Sequence, residues 1–184
     1  MGYWNVPNFL TLLRMVLVPV FVALVAYGNY QAGLLTFVVA GLTDALDGFI
    51  ARHWNLRTSL GAILDPLADK FLLVSAFLTL SLGQGPARVP PWLAFLVIGR
   101  DLVLLLSSTA LWLHGGRREF RPSLAGKATT VVQSLFVALA LFDGARGETG
   151  PWFRPLVFLT LLATSISGLH YLVRSLREHT VPPG

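Results

Sequence analysis

Four aspartates stand close together in a chain otherwise built for lipid. Asp44, Asp47, Asp65 and Asp69 lie in the stretch DALDGFIARHWNLRTSLGAILDPLADK, flanked by LLTFVVAGLT and FLLVSAFLTL. A carboxylate near the centre of a bilayer costs roughly 2.5–3.5 kcal/mol on insertion scales, so four, if additive, cost on the order of 10 kcal/mol. That is comparable with the stability of a whole domain. The acids must therefore meet a wet face or be neutralised. Asp44 and Asp47 are i, i+3, and Asp65 and Asp69 are i, i+4, so each pair projects from one helix face. The connection between them is short, which makes the two helices antiparallel neighbours and lets the pairs converge. Converging carboxylates repel unless they are protonated or bridged by cations. Oxygen-only donors suit Mg²⁺, Mn²⁺ or Ca²⁺, and paired divalent ions serve phosphoryl chemistry.

The neighbouring residues extend that reading. Gly48 and Gly61 leave room for a backbone to approach a ligand or another helix, and Ala51 is nearly as small. Arg52 follows Gly48 by four residues and brings a planar fork suited to phosphate. Acids for metals, an arginine for phosphate and glycines for clearance describe a pyrophosphate pocket at a membrane surface.

The elements that must position these residues are apolar helices. Of 184 residues 54% are hydrophobic and only 12% charged, against about 25% charged in soluble domains. The length suits about six spanning helices of about 20 residues. The expected fold is an all-α integral membrane protein, one domain over residues 1–184. The apolar segments are Val6–Tyr27, Gln31–Ile50, Leu60–Leu82, Pro91–His114, Ala125–Phe142 and Trp152–Val173. Within the first, Val6–Arg14 can form a short interfacial helix before the chain turns inward. The intervening YGNYQ, LGQGPARVPP, GGRREFRPS and DGARGETGP are rich in turn formers. No internal repeat and no low-complexity segment is visible.

Lys and Arg placement sets the orientation. With the N-terminus inside, Arg52, Arg57, Arg117, Arg118, Arg121, Arg174 and Arg177 are cytoplasmic, and Arg88, Arg146 and Arg154 lie opposite. Seven against three favours both termini inside, in an inner or plasma membrane, with the acids facing the cytoplasm. The N-terminus lacks a basic n-region and Arg14 interrupts its apolar run, so it reads as a retained helix rather than a signal peptide. The absence of cysteine removes disulfides, thiolate nucleophiles and Cys-ligated metals. The net charge of +5 is scattered at helix ends without aromatic platforms. Anionic headgroups or phosphorylated substrates fit it better than nucleic acid. His53, His114, His170 and His179 have no ligand-spaced partner, and Asp143 and Glu148 read as residues that solvate a loop.

The spacing D-x2-D-G-x2-A-R-x8-G-x3-D-x3-D is complete in Asp44, Asp47, Gly48, Ala51, Arg52, Gly61, Asp65 and Asp69. Eight fixed positions over 26 residues resemble the CDP-alcohol phosphotransferases. NVPNFLTLLR resembles the opening of the branch that makes phosphatidylglycerol phosphate and of the related cardiolipin synthases. The resemblance implies that Asp44, Asp47 and Asp65 are ligands of two divalent ions, Mg²⁺ or Mn²⁺. Asp69 would be the catalytic base and would also touch a metal. Gly48, Arg52 and Thr58 would hold the CDP moiety, with Ala51 and Gly61 shaping the pocket. It further implies a homodimer that transfers a phosphatidyl group from CDP-diacylglycerol to an alcohol.

The acceptor divides the readings. Glycerol 3-phosphate, taken first, needs extra cations, and Arg14, Arg100 and Lys127 are the candidates. Gly126-Lys127 resembles the glycerol phosphate branch, and snorkelling to the interface is the plainer role. Arg100, deep in FLVIGRDLVLLL, could instead form an ion pair with Asp101 or a neighbouring helix. Arg100-Asp101 resembles the cardiolipin synthase branch, where phosphatidylglycerol is the acceptor, whereas members making phosphatidylglycerol phosphate usually carry Arg-Glu. A cation transporter is the alternative of another class. Its ion sites normally sit at the midplane of broken helices in inverted repeats, unlike acids gathered at one end of two helices.

Overall fold

The computed structural model describes the backbone of residues 6–53, 61–113 and 124–179. The side chains of residues 6–8, 10, 11, 45, 47–53, 61–69, 106–113, 124 and 172–179 are outside that description. Among the described residues there are six helices and no strand: α1 Val6–Ala26, α2 Tyr30–His53, α3 Gly61–Leu82, α4 Pro91–Leu113, α5 Leu124–Arg146 and α6 Phe153–His179. All six expected segments are helical. Val6–Arg14 is not a separate interfacial element, because it continues directly into the same helix. Two helices, over Ala125–Arg146 and Phe153–Tyr171, are long and apolar enough to cross a membrane.

The chain divides into two compact units, Met1–Val89 with Val137–Gly150, and Pro90–Phe136 with Pro151–Gly184. In the first unit α1, α2 and α3 pack on one another. Its core holds Phe21 and Phe37, whose rings lie 6.0 Å apart and tilted by 48°, with Val25, Leu73, Ala76 and Phe77 buried beside them. The turn between α1 and α2 satisfies both helix ends. Gly28, at φ +79°, donates to Val25 O at 3.0 Å, and Asn29 N donates to Leu24 O at 2.8 Å. This pair closes the orphan carbonyls of α1 in the manner of a Schellman motif, which needs the left-handed conformation that glycine adopts freely. The Asn29 side chain then caps α2 by accepting from Ala32 N at 3.1 Å.

The same unit ties down the far end of its helices. Tyr30, the first residue of α2, lies against two glycines. A Cβ on Gly85 would stand 2.1 Å from its hydroxyl, and one on Gly144 would stand 2.6 Å from its ring. Thr149 Oγ1 donates to Pro86 O at 2.8 Å. Asp143 does not solvate a loop, as its sequence context suggested. It is 1% exposed, and its carboxylate accepts from Gly150 N at 2.8 Å. It thus folds the chain back after α5, where Glu148 is exposed and pairs with Arg146.

In the second unit α4 packs on α6. Between apolar layers that include Leu93, Ala94 and Val97, polar side chains join α5 to α6. Thr129 Oγ1 shares its proton between Ala125 O at 2.8 Å and Ala163 O at 3.0 Å. Gln133 Nε2 donates to Thr164 Oγ1 at 3.1 Å. Such bonds hold helices together where lipid gives apolar faces no reason to associate.

Candidate active site

The acids ride on two packed helices. α2 runs unbroken through Asp44, Asp47, Gly48, Ala51 and Arg52. Asp47 therefore follows Asp44 by about 4.5 Å along the axis, less than one turn. α3 starts at Gly61 and carries Asp65 and Asp69 within its first nine residues, one turn apart on continuous helix. α2 packs on α3, so both acid pairs belong to one helix pair, with Asp44 and Asp47 late in α2 and Asp65 and Asp69 early in α3. The side chains of Asp47, Asp65, Asp69, Arg52 and Ala51 lie outside the described set. Thr58 falls in the stretch between the helices that is not described.

Asp44 shows how the site manages charge. Arg14 of α1 reaches its carboxylate, Nη1 to Oδ1 at 2.6 Å, with the arginine side chain 0% exposed and the aspartate 40% exposed. The sequence placed Arg14 among cations for an acceptor phosphate. The structure instead buries it in an ion pair with the first acid of the motif. A buried guanidinium needs an anion, and Asp44 supplies one. The same carboxylate keeps an exposed side and has only hard oxygen donors, so it fits a divalent cation. Among the described residues no three metal-ligating side chains meet, since only one of the four acids has a described side chain.

In the second unit, Arg100 of α4 makes the ion pair with Asp101 that its apolar setting demands, Nη1 to Oδ1 at 2.6 Å. Its Nη2 also donates to Ser167 Oγ on α6. Lys127, in the first turn of α5, is exposed. Ser167 was not singled out from the sequence. Its signal was nonetheless present, in the spacing Thr160, Thr164 and Ser167 along one face of an apolar helix.

Residues 4–167 match the family described as CDP-alcohol phosphatidyltransferase. A probable phosphatidylglycerophosphate synthase of Mycobacterium tuberculosis is 38% identical over 185 residues, covering 95% of this chain and 83% of the relative. A CDP-diacylglycerol–glycerol-3-phosphate 3-phosphatidyltransferase of Aquifex aeolicus is 40% identical over 141 residues, 76% of this chain and 74% of the relative. Human cardiolipin synthase (CMP-forming) is 34% identical over 154 residues, 75% of this chain and 50% of the relative. The eight-position acid motif on α2 and α3 thus sits inside a match that spans most of the protein, and the chain belongs to the CDP-alcohol phosphatidyltransferase family.

Proposed function

We propose that this protein transfers a phosphatidyl group from CDP-diacylglycerol to glycerol 3-phosphate, giving phosphatidylglycerol phosphate and CMP. The observation that carries the reading is the pair of helices α2 and α3, which hold two acid pairs in register within the family match. Asp69 accepts the proton of the acceptor hydroxyl. The hydroxyl oxygen bonds to the phosphorus that carries diacylglycerol. The bond from that phosphorus to the bridging oxygen breaks, and CMP leaves with the electron pair. Gly48, Arg52 and Thr58 hold the CDP moiety, and Ala51 and Gly61 shape its pocket. Two Mg²⁺ or Mn²⁺ ions bound by Asp44, Asp47, Asp65 and Asp69 would supply neutralisation of the pyrophosphate and of the departing CMP.

Arg14 serves this site through Asp44, while Lys127 and Arg100 contact the acceptor phosphate. The whole chain acts as one domain of six membrane-spanning helices, with both termini and the acids on the cytoplasmic side, and it works as a homodimer. Large apolar side chains left exposed on α1, α2 and α4, such as Val16, Leu35 and Phe95, support spans beyond α5 and α6, since soluble surfaces rarely gather such patches. The cation-transporter alternative is set aside, because the family is one of transferases.

A second reading, phosphatidylglycerol as acceptor with cardiolipin as product, is favoured by Arg100-Asp101 and by the similarity to human cardiolipin synthase. Purified protein supplied with CDP-diacylglycerol and each acceptor in turn decides between them, with the lipid product identified by mass spectrometry. Phosphatidylglycerol phosphate is expected, and cardiolipin formed only from phosphatidylglycerol would select the second reading. In the first case Lys127→Ala raises KM for glycerol 3-phosphate by about tenfold, corresponding to about 1.4 kcal/mol, and leaves KM for CDP-diacylglycerol unchanged.

A further inference from the structure

We infer that Ser167 is a positioning residue that fixes the Arg100 guanidinium so that its Nε–H is presented to a phosphate oxygen of the acceptor. The inference rests on the transferase reading above. Arg100 is 8% exposed, and its three nitrogens have different fates. Nη1 is held by Asp101 and Nη2 by Ser167. Nε is buried without a hydrogen-bond partner. A buried donor on a charged group is rarely left unpaired, and its natural complement is an oxyanion.

Asp101 alone does not set this orientation. Residues i and i+1 of a helix do not face each other, so the carboxylate grips one corner of the fork. The second anchor comes from α6, across the contact between α4 and α6. The Ser167 hydroxyl is neutral, so it fixes the plane of the guanidinium without cancelling its charge. A second carboxylate would cancel it. Gly168 follows, and a Cβ there would lie 3.9 Å from Arg100 Cγ, in ordinary contact with nothing closer. The arginine stem therefore lies against the α6 backbone with room to spare, and the hydroxyl is what restrains it. A phosphate oxygen could come from the monoester of glycerol 3-phosphate or from the diester of phosphatidylglycerol, and the two acceptors are assayed separately.

The test is steady-state kinetics of Ser167→Ala, Ser167→Thr and Arg100→Lys, alone and combined, in detergent micelles containing CDP-diacylglycerol. Ser167→Ala is expected to raise KM for the acceptor that the wild type uses by about fivefold. Its kcat and its KM for CDP-diacylglycerol stay at wild-type values. Ser167→Thr keeps the hydroxyl and restores KM. In the Arg100→Lys background, where no Nε remains, Ser167→Ala has no further effect. An unchanged acceptor KM in Ser167→Ala, alongside a raised one in Arg100→Lys, would overturn the positioning role and leave the transferase reading intact. A matched loss of kcat and of thermal stability in both Ser167 variants would mark Ser167 as merely structural and overturn it too. Wild-type protein inactive with both acceptors would overturn the transferase reading itself.

Discussion

Replacing Gly144 by alanine tests how α2, the helix that carries Asp44 and Asp47, is seated at its other end. A Cβ on Gly144 would stand 2.6 Å from Tyr30 Cδ1, 2.7 Å from Cγ and 3.2 Å from Cβ. Carbon atoms in contact prefer about 3.5–4.0 Å, so the ring must retreat by about 1 Å. The ring is rigid, and its hydroxyl already lies against Gly85, so retreat in that direction is blocked. Overpacking of this kind costs about 1–3 kcal/mol. Alanine recovers at most about 0.5–1 kcal/mol of helix propensity, and less this near the end of α5, so the net effect is a loss of about 1–2 kcal/mol. Gly41, in mid-α2, is the control, because a Cβ there meets nothing within 4 Å. Gly41→Ala should therefore gain about 0.5–1 kcal/mol. At about 2–4 °C per kcal/mol for a chain of this size, Gly144→Ala lowers the melting midpoint by about 2–8 °C and Gly41→Ala raises it by about 1–4 °C. Tryptophan fluorescence in detergent, followed on heating, reads both. Tyr30→Ala should relieve the penalty of Gly144→Ala, which a double-mutant cycle measures directly. Asp44 lies 14 residues beyond Tyr30, about 21 Å along the helix, so turnover per folded molecule should change far less than the midpoint. A midpoint that rises in Gly144→Ala as it does in Gly41→Ala would refute the seat.

Three further outcomes are expected. Arg14→Met keeps the volume of the stem but removes the charge facing Asp44. It should cost about 1–3 kcal/mol by chemical denaturation, less than the about 3–5 kcal/mol of breaking a fully buried pair, because Asp44 keeps an exposed side; an unchanged midpoint would contradict the pairing. Asp69→Asn should lower kcat strongly while CDP-diacylglycerol still binds, as seen by equilibrium binding of a labelled CDP-lipid, whereas loss of metal and nucleotide together would move Asp69 into the ligand set. A cysteine at Gln84 in this cysteine-free chain should label from outside intact cells and one at Gly116 only after permeabilisation, and the reverse pattern would place the acids on the wrong side for cytosolic substrates.

The helices were legible because each apolar run ends in residues that stop one. Gly28 and Asn29 close α1 and open α2 with the φ and side-chain bond their types suit, and Pro91 starts α4 where the apolar run starts. α6 ran further than its apolar segment, to His179 instead of Val173, because RSLREH contains no breaker before Pro182. The register of the acids was legible because it depends on spacing within a helix. The partner of Asp44 was not. Arg14 lies 30 positions away on another helix, and only the packing of α1 against α2 decides that the two meet. Asp143 misled for a similar reason. Its place in DGARGETGP reads as loop, while its burial comes from chain reversal around Gly147 and Gly150.

The central claim is that the aspartates of α2 and α3 act with divalent cations on a CDP-linked lipid. The most direct measurement is CMP release from CDP-diacylglycerol by purified protein with glycerol 3-phosphate present, as EDTA is added and Mg²⁺ or Mn²⁺ is then restored. The account predicts no release in chelator, recovery with either ion, and no recovery for Asp44→Asn or Asp65→Asn, since each amide removes a charge the cations require. Full CMP release in EDTA, or full activity in either variant, would contradict it.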